Sequence, residues 1–120
     1  RFIESVKRPY DVIFLDAFGA DAVPAHLTTR EFLAAVRRAL NPAGVVVGNL
    51  WSVATDPPYD SMVLTYRDAF DEVHVLRVGG TNNRILLALP RTEGLQRGEL
   101  AMLARKLAAA KNFRFNPGLL

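Results

Sequence analysis

The sequence predicts an α/β domain: an open, mostly parallel sheet with helices on its faces, finished by an antiparallel hairpin. Three observations carry that prediction. Val12-Ile13-Phe14-Leu15 and Val45-Val46-Val47 are apolar runs without alternation, the pattern of strands buried on both faces of a parallel sheet. Between them Phe32, Leu33, Val36 and Leu40 recur at helical spacing. Further on, two β-rich segments, 72–78 and 84–89, are separated only by Gly79-Gly80-Thr81-Asn82-Asn83. So short a Gly/Asn link forces an antiparallel return.

Each element has its own signal. Phe2, Ile3 and Val6 share a helical face, and Pro9 ends that segment. Residues 10–15 form the first strand. Thr28 and Glu31 spell a Thr-x-x-Glu capping box ahead of the next helix, which Asn41-Pro42 ends. Val45 opens a second strand that runs out at Asn49-Leu50. Asp56 followed by Pro57 reads as an N-cap with proline in the first helical position. Met62, Val63, Tyr66 and Phe70 carry that helix onward at spacings of one, three and four. After the hairpin, Leu100, Leu103 and Leu107 mark a last helix that fades towards Asn112. The order is α-β-α-β-α-β-β-α in one domain, without repeats or a low-complexity linker.

Composition narrows the function classes. Half of the 120 residues are hydrophobic and 22% are charged, which is globular rather than disordered composition. With no cysteine, disulfides and thiolate metal sites are excluded. No apolar run approaches the roughly 20 residues of a membrane helix, and no signal peptide is recognisable. A soluble, cytoplasmic protein is expected, with no membrane contact by this segment. The net charge of +3 divides into −3 over residues 1–76 and +6 over residues 77–120. No aromatic platform or nucleic-acid motif accompanies the basic part, so it reads as a solvated surface and no nucleic-acid partner is expected. There is no G-x-G-x-x-G and no P-loop. His26 stands alone near a helix start, and His74 lies within a strand with no carboxylate or second ligand at useful spacing. No metal site is expected.

In open α/β sheets ligands bind beyond the carboxyl ends of the strands. Asp16 follows the first strand directly, and Asn49 stands at the end of the second. A second acid, Asp21, lies in the Gly- and Ala-rich turn after Asp16. An Asp after a strand also caps turns through its side chain. Spacing alone leaves both readings open.

The stretch "RFIES...YDVIFLDAF...VPAHLTTREFLAAVRRALNPAGVVVGNLWS" resembles the carboxyl-terminal half of the spermidine synthase family. "NNRILLALP" is similar to the last strand of that fold, and "FRFNPGLL" to the family's Tyr-Asn-Pro-containing tail. "ALNPAGVVV" is common to methyltransferases in general; the strand-Asp-loop-Pro-x-x-Leu-x-x-x-x-Phe stretch is more telling. The resemblance implies the carboxyl-terminal half of a Rossmann-like, class I methyltransferase fold. It also implies transfer of an aminopropyl group from decarboxylated S-adenosylmethionine to an amine.

In that family the acid after this strand opens an Asp-Ser-Ser-Asp-Pro-like motif. Its first aspartate is the base for the attacking amine and its second binds the diamine. Asp16 matches the first. Gly19 occupies the second position, and Asp21 comes two residues later. A family glutamine that contacts the diamine corresponds to Asn49. The chemistry is coherent, because an aliphatic amine with a pKa near ~10 is protonated at neutral pH and cannot attack. A fixed carboxylate attracts it and takes its proton.

The family's glycine-rich loop and nucleoside-holding acids lie before Arg1, so the resemblance implies no cofactor cradle in this chain. Decarboxylated S-adenosylmethionine, or S-adenosylmethionine, is expected for the full-length protein. The alternatives are an S-adenosylmethionine-dependent methyltransferase-like enzyme and a non-catalytic half-domain used for assembly. In the resembled fold the strands 10–15, 45–50, 84–89 and 72–78 lie side by side in that order. Val12–Leu15 then becomes an edge strand, and a homodimer is expected to cover it.

Overall fold

The computed structural model describes residues 3–16, 27, 29–51 and 57–114. A 3₁₀ turn, Ile3–Ser5, precedes strand β1, Tyr10–Leu15. Then follow α1 (Arg30–Arg38), β2 (Leu40–Trp51), α2 (Pro57–Ala69), β3 (Glu72–Arg77), β4 (Asn83–Leu89) and α3 (Arg97–Lys111). The first apolar segment is thus one short turn, ended before Pro9 as its sequence implies.

The four strands form one mixed sheet in the order β1-β2-β4-β3, the expected spatial order. β1 runs parallel to β2, while β4 is antiparallel to both β2 and β3. Strand alternation sorts the side chains. Val46 and Leu50 of β2 and Leu86 and Ala88 of β4 join Leu33, Val36 and Leu40 with Val63 and Tyr66 of α2 and Phe70 just after it in one core. Ile13 and Leu15 of β1 and Val73 and Val75 of β3 pack against that core. The other side of β1 is open: Tyr10, Val12 and Phe14 are 41%, 45% and 73% exposed. The unbroken run Val12–Leu15 therefore lies at a sheet edge with only one of its faces covered.

Two boundaries differ from the sequence expectation. Thr29, not Thr28, is the N-cap of α1: its backbone is extended and its hydroxyl accepts from Phe32 N–H at 3.2 Å. Thr28 lies outside the described residues. Counting from Thr29 puts Phe32 in the third helical position, so no Glu side chain completes the box. Asp56, the expected cap of α2, also lies outside the described residues.

The second difference is that Asn41-Pro42 does not end α1. The helix stops at Arg38 with Ala39 as C-cap, and both residues belong to β2. There β2 is irregular: Tyr10 pairs with Leu40 but Val12 pairs with Val45, so three extra residues of β2 are absorbed. Asn41 Nδ2 donates to Asp11 Oδ1 across this irregularity. Gly44 lies so close that a Cβ would sit 2.9 Å from the Asp11 carbonyl oxygen and 2.8 Å from Leu40 Cγ. Only glycine fits there.

Polar ties fix the remaining elements. Arg37 donates to both Asp71 oxygens and, at 2.7 Å, to the Ala69 carbonyl, joining α1 to the end of α2. The Glu72 carboxylate accepts from the backbone N–H groups of Glu93 at 2.6 Å and Gly94 at 2.8 Å. His74 Nε2 lies 2.6 Å from its other oxygen. His74 thus has a carboxylate partner after all, because residues two apart on a strand share a face. The Gly94 and Glu93 N–H groups, and then His74, hold the Glu72 carboxyl below its ordinary range.

A depressed carboxylate stabilises the fold above its unfolded pKa, and that contribution is lost as pH falls through the lower folded value. The melting temperature of the parent should therefore exceed that of Glu72→Gln at pH 7, and the gap should close as pH drops below about 4. A gap that stays constant down the acid range would rule out this role for the carboxylate. Helix α3 starts at Gln96, whose N–H donates to Glu99 Oε2 at 2.8 Å, and ends at Asn112 in the left-handed region, yet it has no buried residue.

Candidate active site

The parallel pairing of β1 and β2 builds the site. Phe14 pairs with Val47 and Leu15 with Gly48, so the next step brings Asp16 beside Asn49 at the carboxyl end of both strands. Asn49 Nδ2 donates to Asp16 Oδ1 at 3.1 Å. Asp16 is exposed, while Asn49 is half-buried. Asn49 Oδ1 is fully buried and has no hydrogen-bond partner among the described residues. A buried acceptor in that condition is uncommon in folded proteins.

A cavity of about 30 Å³ opens at Asn49, walled by Leu15, Leu27, Phe32, Leu50, Met62 and Tyr66. Tyr66 forms its floor. Gly48 lacks a side chain directly beneath the tyrosine, and a Cβ there would lie 3.1 Å from the phenol oxygen. Burial pushes the Tyr66 phenol up to about 12, so it stays neutral. The site therefore joins one exposed carboxylate, an amide that holds it, and an apolar wall. Such an arrangement can attract a cation by Coulomb force and accept a proton at Asp16.

Of the three residues singled out from sequence, the structure brings together Asp16 and Asn49. Asp21 lies outside the described residues, as does His26. Tyr66, Met62 and Phe32 read in sequence as ordinary helix packing, and nothing in their spacing marks them as cavity walls. Among the described residues, no group of three or more His, Cys, Asp or Glu could hold a metal ion. None of the described helices is long and apolar enough to cross a membrane.

Comparisons with known proteins place the fold and the family. No family profile matches the chain. It is 39% identical over 92 residues, 72% of its length, to a polyamine aminopropyltransferase of Vibrio vulnificus (strain CMCP6). It spans only 30% of that relative. Human methyltransferase-like protein 13, solved in complex with SAH, superposes with a TM-score of 0.80 at 27% identity, over 95% of this chain and 56% of its own. A probable spermidine synthase from Corynebacterium glutamicum ATCC 13032 superposes with a TM-score of 0.72 at 26% identity, over 89% and 41%. The fold is thus that of the methyltransferase-like α/β proteins. Within that class, the chain belongs to the spermidine synthase, or polyamine aminopropyltransferase, family.

Proposed function

We propose that this chain carries the acceptor side of an aminopropyl-transfer site, with Asp16 as the base. The observation that carries the reading is the Asp16 carboxylate, held by Asn49 at 3.1 Å at the carboxyl end of β1. The apolar cavity beside it supports the reading, as do the names of the Vibrio vulnificus relative and the Corynebacterium glutamicum neighbour.

In this proposal Asp16 draws in a protonated amine and takes a proton from its nitrogen. The freed lone pair attacks the aminopropyl carbon of decarboxylated S-adenosylmethionine. A carbon–nitrogen bond forms, the carbon–sulfur bond breaks, and the electron pair leaves on sulfur as a neutral thioether. Asp21 is proposed as the second carboxylate for a diamine, on its place after Asp16 in sequence. A second reading, methyl transfer from S-adenosylmethionine, is favoured by the structural neighbour bound to SAH.

Incubating the full-length gene product with decarboxylated S-adenosylmethionine and a panel of aliphatic amines tests the proposal. Release of the thioether nucleoside dependent on both compounds is expected. Turnover with S-adenosylmethionine alone would favour the methyl-transfer reading, and turnover with neither would leave the non-catalytic one.

A further inference from the structure

Asn49 stands where the family resemblance would put a residue that grips the acceptor, but its amide faces another partner. We propose that Asn49 is a positioning residue for Asp16, orienting the carboxylate through its N–H rather than holding the acceptor. This rests on the aminopropyl-transfer reading of the site.

An ionised carboxylate only accepts hydrogen bonds, whereas an amide has one donating and one accepting end. The nitrogen end of Asn49 must therefore face Asp16, and the 3.1 Å contact is of that kind. Asn49 is well placed to hold something still. It is half-buried on β2, which is paired on both sides, to β1 and to β4. Asp16 lies just past the end of β1 and is exposed. Among the described residues, the bond from Asn49 is the one that reaches its carboxylate. Side-chain length decides between the two roles. Asparagine reaches the Asp16 carboxylate with its short side chain, whereas a glutamine would carry its amide one methylene further from β2.

The same two strands hold a matching pair at their other end, where Asn41 donates to Asp11. That pair is an internal control, and it permits a readout independent of activity. In spectra of ¹⁵N side-chain amides, Asp16→Ala should move the Asn49 resonances and leave those of Asn41 in place. Asp11→Ala should do the reverse. An Asn49 signal indifferent to Asp16→Ala would overturn the proposal.

Kinetics of the full-length protein separate positioning from gripping. Asn49→Ala should lower kcat by about tenfold, part of the usual worth of a general base, with the acceptor KM changed by no more than about twofold. Asn49→Leu is close in volume, uncharged and cannot donate, so it should also lose kcat; a purely space-filling role would leave it active. A rise in acceptor KM with kcat intact would assign Asn49 to the acceptor and end the positioning role. Should Asp16→Asn leave turnover unchanged, the role of Asp16 as base fails instead, and the spectroscopic result stands or falls separately.

Discussion

Asp16→Asn lowers turnover by ~10²-fold or more, the usual scale for loss of a general base, while the fold survives. The substitution keeps the shape and removes the charge. The new amide can turn its oxygen to Asn49 Nδ2, so the 3.1 Å contact has a replacement. Because Asp16 is exposed and outside the core, the stability cost should stay within about 0.5 kcal/mol. What the variant loses is an acceptor for the proton of the attacking amine. Steady-state kinetics on the full-length protein, with a thermal melt on the same sample, checks both halves. Turnover within a factor of two of the parent removes Asp16 from the role of base.

Leu86→Ala costs about 2–5 kcal/mol of folding stability. Leu86 is 0% exposed at the middle of β4, paired with Gly48 of β2 and Val75 of β3. Its neighbour Gly48 has no side chain to move into the space, and Tyr66 is already seated on that glycine. The vacated volume cannot collapse easily, which favours the upper part of the range. Against a typical total of roughly 5–15 kcal/mol, one such change is a large fraction. Urea denaturation should show a lower midpoint with little change in slope. Leu107→Ala on α3, where the leucine is 52% exposed, should by contrast cost within about 0.5 kcal/mol. Equal costs at the two positions would place the core elsewhere.

Local pattern carried much of the fold. The apolar runs at Val12 and Val45, the Gly/Asn link at Gly79 and the helical stripe from Phe32 each produced the element they imply. Position within the sheet is another matter: Val12-Ile13-Phe14-Leu15 has the composition of a central strand, and its exposure follows from which strands stand beside it. The cap of α1 was ambiguous because two threonines are adjacent, and only the backbone shows which one lies extended before the first helical residue. Asn41-Pro42 is a breaker by composition, yet the irregular pairing opposite Tyr10 and Val12 lets a strand pass through it. Of the site, Asp16 and Asn49 were legible as strand-end residues. Their mutual hydrogen bond was not, because it depends on how β1 is aligned with β2.

That alignment has a consequence of its own. In a strand a slip of one residue exchanges its two faces. Moved by one position along β2, Asp16 would turn away from Asn49, and Ile13 and Leu15 would leave the core for the open side. The devices that oppose such a slip sit at the far end of the pair. There a Cβ on Gly44 would press on the Asp11 carbonyl, and Asn41 clasps the Asp11 side chain. The aim of the carboxylate at the cleft is thus set at Asp11, five residues upstream of it, by the grip of Gly44 and Asn41 from the neighbouring strand.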